Sequence, residues 1–350
     1  RVNGPLGAFL SGGIDSTTVA AIAQSLLNES GGGDRLQTFS AVFPGVEYSD
    51  ERPFIGQVVD ECGLESRLFR FSADHRFPDW EAQSSVLRGL PMTTISPLTG
   101  RLLESAQSSG IRVMLGGVGA STVLGGSDYL YLDLLRRGKW STALRELKYD
   151  ISTYGWRTAW QWASRSFIWP CIPVRLKRRL VSRISIPAKW EFLTDEFARS
   201  VGLEDRLSHA DNRDRFRHLS AWEMESSLFS SWAVNSLELA DMLNSRYGIE
   251  ERSPFFDRRV IEFAAAVPVS IHLRADQDKR LVRALAGQLL SEKLARRVNF
   301  AHFLACHFAP LKTRAVEQVL QSLDLAKAGY ISQDNVSKQY TRLIATNSDI

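Results

Sequence analysis

One stretch near the start of the chain limits the fold more than any other. A short apolar run at residues 6–10 (LGAFL) leads into Ser11-Gly12-Gly13, and apolar residues then recur at helical spacing from 16 to 27. This reads as a strand, a tight loop and a helix. Glycines in such a loop let the backbone turn sharply and bring its N–H groups close to an anion, while the helix behind it presents unpaired donors and the positive end of its dipole. Ser11 and Ser16 add hydroxyl donors. Asp15 repels a phosphate, so its natural task is to hold a Mg2+ ion that bridges phosphate oxygens. The lysine of a GxxxxGK[ST] loop is absent, and the spacing is not GxGxxG. Taken alone, two glycines and two serines make only a tight turn with an N-cap. The strand before, the helix after and the Asp-Ser continuation favour a phosphate loop.

The same alternation continues. Residues 37–43 (QTFSAVF) offer a second strand, 50–62 a second helix, 68–71 a third strand, 102–109 a third helix, and 112–115 (RVML) a fourth strand that ends in Gly116-Gly117. Strands and helices alternating at this length imply an α/β fold, a parallel twisted sheet with helices on both faces. From about Tyr129 onward most of the tryptophans appear, strand signals fade and amphipathic segments dominate, so a mostly helical region follows. We therefore expect a nucleotide-binding core at 1–128 and a helical region at 129–350. The basic stretch 174–183 (VRLKRRLVSR) reads as a solvated helical face, a polyanionic partner being the lesser alternative.

Charge and composition remove other classes. With 43 Lys+Arg against 39 Asp+Glu, the formal charge is only +4, too small an excess to call for nucleic acid. No apolar run approaches the roughly 20 residues of a membrane span, and no cleavable leader opens the sequence. A cytoplasmic protein without membrane or nucleic-acid partners is expected. Cys62, Cys171 and Cys306 share no metal-ligand spacing and read as reduced core residues. The chain starts at Arg1, and a piece of something longer is expected.

Four blocks carry a family resemblance. SGGIDS at 11–16 resembles the pyrophosphate-loop motif of the ATP pyrophosphatase group, which includes asparagine, GMP and argininosuccinate synthetases. Tyr48-Ser49-Asp50-Glu51 is similar to the "YDE" entry of the asparagine-synthetase branch into its second helix. Residues 116–126 (GGVGASTVLGG) look like its SGEGADELFGG segment, and 248–259 (GIEERSPFFDRR) like its GvEaRvPFLDrr segment. The resemblance implies a Rossmann-like synthetase domain that uses ATP and Mg2+ to adenylate a carboxylate, releases pyrophosphate and passes the acyl group to an amine. By motif position, ATP contacts fall on Leu10, Ser11, Gly12, Gly13, Asp15 and Ser16, on Ala41 near the adenine, and on Gly116 and Gly117; Asp15 is the metal ligand. The substrate is an aspartate-like carboxylate or, as in lasso-peptide macrolactam cyclases, a precursor peptide. A glutaminase domain or other ammonia source is the implied partner, and that domain is absent from this chain.

The chain also departs from the pattern. Val118, Ser121 and Thr122 replace a glutamate, the aspartate that is the second magnesium ligand, and a second glutamate. Serine is a far weaker ligand for a hard dication, and valine cannot deprotonate an incoming amine. Asn299 stands where an RxK segment, aligned with Arg297-Val298-Asn299, has its charge-stabilising lysine. Lys279 and Arg297 are candidates to restore that charge, although a lysine in an Asp-Gln-Asp-Lys run is in most proteins a surface residue. Glu250 and Arg252 are further catalytic candidates, with a structural ion pair as the alternative. A catalytically degenerate nucleotide-binding scaffold is the competing function.

Overall fold

The computed structural model describes residues 4–31, 33–45, 50–71, 96–160, 191–203, 205–206, 216, 218–272, 278–297 and 314–346. The basic stretch 174–183, Cys171 and Cys306, Tyr48 and Ser49, and Val298 and Asn299 lie outside them.

Five parallel strands form one sheet: β1 (Leu6–Phe9), β2 (Gln37–Val42), β3 (Glu65–Arg70), β4 (Val113–Leu115) and β5 (Glu250–Arg252). Their order is β3-β2-β1-β4-β5. Between them come α1 (Ile14–Glu29), α2 (Arg52–Cys62) and α3 (Ser96–Ser108). The expected α/β fold is present, with strand and helix positions close to those read from the pattern. β3 begins at Glu65 rather than residue 68, because an edge strand tolerates the polar Glu-Ser-Arg triplet that conceals it from a hydrophobic scan. β5 arises in the mostly helical half, and its Glu-Glu-Arg sequence carries no apolar alternation at all.

Helices cover both faces. On one side α1 and α2 pack over a core of Ala8, Leu10, Val19, Ala20, Leu36, Ile55 and Val58. On the other, α3 closes over Phe39, Leu103, Ala106, Ile111 and Met114. Gln24, buried in α1, secures the start of β2 by accepting from the Leu36 N–H at 2.8 Å and donating to the Asp34 carbonyl.

Beyond β4 the chain continues through α4 (Ala120–Leu124), α5 (Leu130–Arg136), α6 (Trp140–Tyr154), α7 (Asp195–Ser200), α8 (Leu219–Leu228) and α9 (Ser231–Arg246). After β5 come α10 (Arg258–Ala266), α11 (Val269–His272), α12 (Arg280–Ala286), α13 (Glu292–Ala295), α14 (Arg314–Gln321), α15 (Asp324–Lys327) and α16 (Gln333–Thr346). The helical region that composition suggested follows the first four strands. One buried carboxylate, Asp133 on α5, caps α8 across space, accepting from the N–H groups of Leu219 and Ser220 at 3.0 Å each. No described helix is long and apolar enough to cross a membrane. Cys62 is a half-buried free thiol whose pKa burial pushes up to about 11, as an unreactive core cysteine should show.

Candidate nucleotide and ligation site

In this strand order β1 is flanked by β2 on one side and β4 on the other, so the chain direction across the sheet reverses between β1 and β4. Loops leaving adjacent strands in opposite senses open a crevice there, the usual ligand position of doubly wound sheets. The β1–α1 loop carries Ser11, Gly12, Gly13 and Asp15, and the β4–α4 loop carries Gly116 and Gly117.

The first loop is internally wired. The Ser11 N–H donates to Ser16 Oγ at 3.1 Å, the two hydroxyls share a 3.0 Å bond, and Ser11 Oγ accepts from the Gly13 N–H. Gly13 is the N-cap of α1 and has no side-chain cap, so the first-turn amides keep their polarity for something else. Gly12 adopts φ 79°, where a side chain would be strained and would meet Glu51. Gly117 is held so close to α1 that a Cβ there would lie 2.6 Å from the Ser16 nitrogen. The structure thus brings Leu10, Ser11, Gly12, Gly13, Asp15, Ser16, Gly116 and Gly117 together, and sets Ala41 at the carboxyl end of β2, two residues beyond the pairing of Phe39 with Phe9.

Charge arrives at this loop from far along the chain. Lys279, only 5% exposed, places Nζ 2.6 Å from Asp15 Oδ2. Its backbone is left-handed, φ 55° and ψ 42°, alone among the described residues other than glycine. The expectation of a surface lysine is corrected here: Asp278 accepts from both the Lys279 and Gly126 N–H groups and so folds the turn inward. Arg283 then ties that turn to the segment behind it, donating to the carbonyls of Asp278, Ala295 and Arg297.

Arg297 also reaches the loop, through both terminal nitrogens of its guanidinium, while Nε is buried without a hydrogen-bond partner among the described residues. It donates to the Gly12 carbonyl, pairs with Glu51 Oε1 at 2.5 Å and stacks 3.7 Å from the centroid of Phe54. That geometry makes it a brace for the loop. Glu250 and Arg252 pair with each other at 2.8 Å on the edge strand β5, their side chains 62% and 42% exposed. The structural ion pair is the reading the geometry supports for them. The residue between them, Glu251, points inward beside Gly116.

Two carboxylates beside the loop keep a buried oxygen without a hydrogen-bond partner among the described residues, Asp15 at Oδ1 and Glu51 at Oε2, the latter next to Gly12. Asp15 Oδ1 is buried with no hydrogen-bond partner, an acceptor suited to a cation, but its other oxygen is occupied by Lys279. α4 presents Ser121 and Thr122 in place of acids, and no cluster of three metal-ligating side chains exists among the described residues. This donor set fits an ion carried in on a polyphosphate and not one assembled by the protein alone. Next to α4 lies a cavity of about 450 Å³ lined by Ser121, Thr122, Glu223, His218, His272 and Arg137. Burial raises the Glu223 carboxyl above its ordinary pKa and lowers that of the His272 imidazole.

A parallel sheet with an uncapped Gly-Ser loop at its reversal point defines an α/β protein of the doubly wound kind. Residues 1–349 match the family model described as asparagine synthase, and the chain belongs to that family, a group of ATP-dependent amide ligases. It is 32% identical over 133 residues to asparagine synthetase [glutamine-hydrolyzing] 2 of Arabidopsis thaliana, covering 36% of this chain and 22% of that protein. It is 23% identical over 304 residues to amidase chry2 of Gibberella zeae, covering 77% and 44%. To amidase chyE of Penicillium rubens it is 22% identical, covering 97% and 56%. The chain spans from about a fifth to just over half the length of the curated relatives it matches.

Proposed function

We propose that this protein activates a carboxylate with ATP as an acyl-adenylate and transfers the acyl group to an amine, the reaction type of the glutamine-hydrolysing asparagine synthases. The observation that carries this reading is the inward Lys279. Attack of a carboxylate on the α-phosphate brings two anions together, and a buried ammonium at the mouth of the loop offsets that repulsion. It supplies from α12's leading turn the charge that Asn299 does not. The loop amides and the Ser11 and Ser16 hydroxyls would cradle the phosphates, the backbone of Gly116 and Gly117 would border the nucleotide, and Asp15 Oδ1 would ligate a Mg2+ ion brought by ATP. That ion would neutralise phosphate charge; orientation and exclusion of water fall to the protein.

Aspartate is the default carboxylate, with ammonia from a glutaminase domain as the amine. The cavity beside Ser121 favours a second reading, in which one reactant belongs to a larger molecule such as a precursor peptide, since about 450 Å³ holds far more than ammonia. The test is ATP–pyrophosphate exchange by the purified chain, scanned over aspartate, other carboxylic amino acids and peptides. Carboxylate-dependent exchange supports the ligase, and the carboxylate that drives it chooses between the two readings. Tight ATP binding with no exchange for any carboxylate would instead mark a nucleotide-binding scaffold, the reading motivated by Val118 and Ser121.

A further inference from the structure

Glu251 is a partly buried carboxylate that none of the roles above uses. It sits on β5, next to the carboxyl end of β4, and one of its oxygens, Oε2, accepts from Asn244 Nδ2 at 3.0 Å. Asn244 belongs to α9 and is itself buried, so the carboxylate is aimed, not free to swing to solvent. The other oxygen, Oε1, has no hydrogen-bond partner among the described residues and lies directly over Gly116, close enough that a Cβ there would collide with it. Ser253 Oγ lies 3.5 Å from the same point. Gly117, one residue on, touches Ser16 of the phosphate loop. The β4–α4 strip is therefore sandwiched between the nucleotide loop on one side and an open carboxylate oxygen on the other.

Two further facts bear on its task. Val118, two residues past Gly116, is apolar and exposed, so this strip has no acid of its own. Among the described residues no cation lies against Glu251: its flanking neighbours Glu250 and Arg252 are engaged with each other, and burial raises its pKa above the usual carboxylate value. An unneutralised carboxylate in a partly desolvated position seeks a cationic hydrogen-bond donor.

We propose that Glu251 receives the acceptor amine, binding it as an ammonium at Oε1 and taking its proton. The inference rests on the ligase reading and specifies its second half. The ammonium gives one proton to Glu251, and the freed nitrogen lone pair attacks the acyl carbon. The carbon–oxygen bond to AMP then breaks, AMP leaves with the bonding pair, and the second nitrogen proton departs with its phosphate or to water. The ligand class is a protonated primary amine or ammonium, and the base comes from the edge strand in place of α4.

The test separates the two half-reactions in the full chain, with aspartate as carboxylate and ammonium chloride as acceptor. Glu251→Gln keeps the shape and the hydrogen bond from Asn244 but cannot take a proton. Aspartate-dependent ATP–pyrophosphate exchange is expected within about threefold of the parent, while amide formation falls about 100-fold, the usual range for losing a general base. Hydroxylamine, already neutral near neutral pH, should be used almost as well by Glu251→Gln as by the parent. Glu251→Asp, which keeps the charge, should retain part of the amide rate if the Gln variant folds poorly. Unchanged amide formation in Glu251→Gln would overturn the proposal, as would loss of exchange and aminolysis together at an unchanged melting temperature. Failure of the parent chain to support exchange with any carboxylate would overturn the ligase reading itself.

Discussion

Lys279 holds a backbone conformation that costs a residue with a Cβ about 1–2 kcal/mol. That cost persists because Asp278 fixes the turn and the ammonium meets Asp15. Two outcomes follow. Removing the charge with Lys279→Met should weaken ATP binding about 10- to 100-fold by isothermal titration, the worth of about 1.5–3 kcal/mol for a charged hydrogen bond. Lys279→Gly should be more stable than Lys279→Ala by about 1 kcal/mol in urea unfolding, since both delete the ammonium and differ only in the price of the left-handed turn. Equal stabilities would mean that the turn is not held left-handed in solution.

His272 sets a pH limit at the same scale. Burial lowers its pKa below 6.5, against carbonyl contacts from Val267 and Ala264 that oppose the shift. The folded state therefore binds fewer protons than the unfolded chain. The sign is fixed: this stability is fully present above 6.5 and is lost as pH falls through the lower folded value. His272→Gln should flatten the dependence of melting temperature on pH below 6.5. An unaltered slope would place the titrating group elsewhere.

Among the elements, the junction of α2 with the phosphate loop depends on one ion pair. Glu51 and Arg297 are both about 7% exposed, and Arg297 also carries the Gly12 carbonyl. Breaking a buried pair from one side leaves an uncompensated charge, at about 3–5 kcal/mol. Arg297→Met should therefore melt well below the parent, and the double variant Glu51→Gln with Arg297→Met should recover most of the loss. Recovery of stability without recovery of ATP affinity would show the guanidinium acting on the loop through Gly12. A Glu51→Gln variant as unstable as Arg297→Met, with no recovery in the double, would argue against the pair. The sequence revealed the loop at this scale because glycines and serines between strand and helix have few other uses. It hid Glu251, since a three-residue edge strand of charged residues has no period, and it hid the depth of Lys279, whose burial comes from a turn built 264 residues away from its partner.

For the whole molecule, four strands and their helices were legible in residues 1–128, yet the unit those residues form is incomplete. β5 completes the sheet beside β4, and the core around α1 takes in Phe255, Val282, Leu290 and Leu294 from beyond residue 250. Periodicity cannot show this, because a helix reports that one face is apolar and not which distant helix will cover it. Burying four large apolar side chains is worth on the order of 10 kcal/mol, at about 1.5–3 kcal/mol each. That equals the whole stability of an ordinary domain, about 5–15 kcal/mol. A fragment of residues 1–128 should therefore fail to fold cooperatively: little amide dispersion by NMR, no sharp thermal transition and no ATP binding. If instead it folds and binds ATP, the phosphate loop is self-sufficient, and Lys279 and Arg297 act on catalysis without being part of what holds the nucleotide.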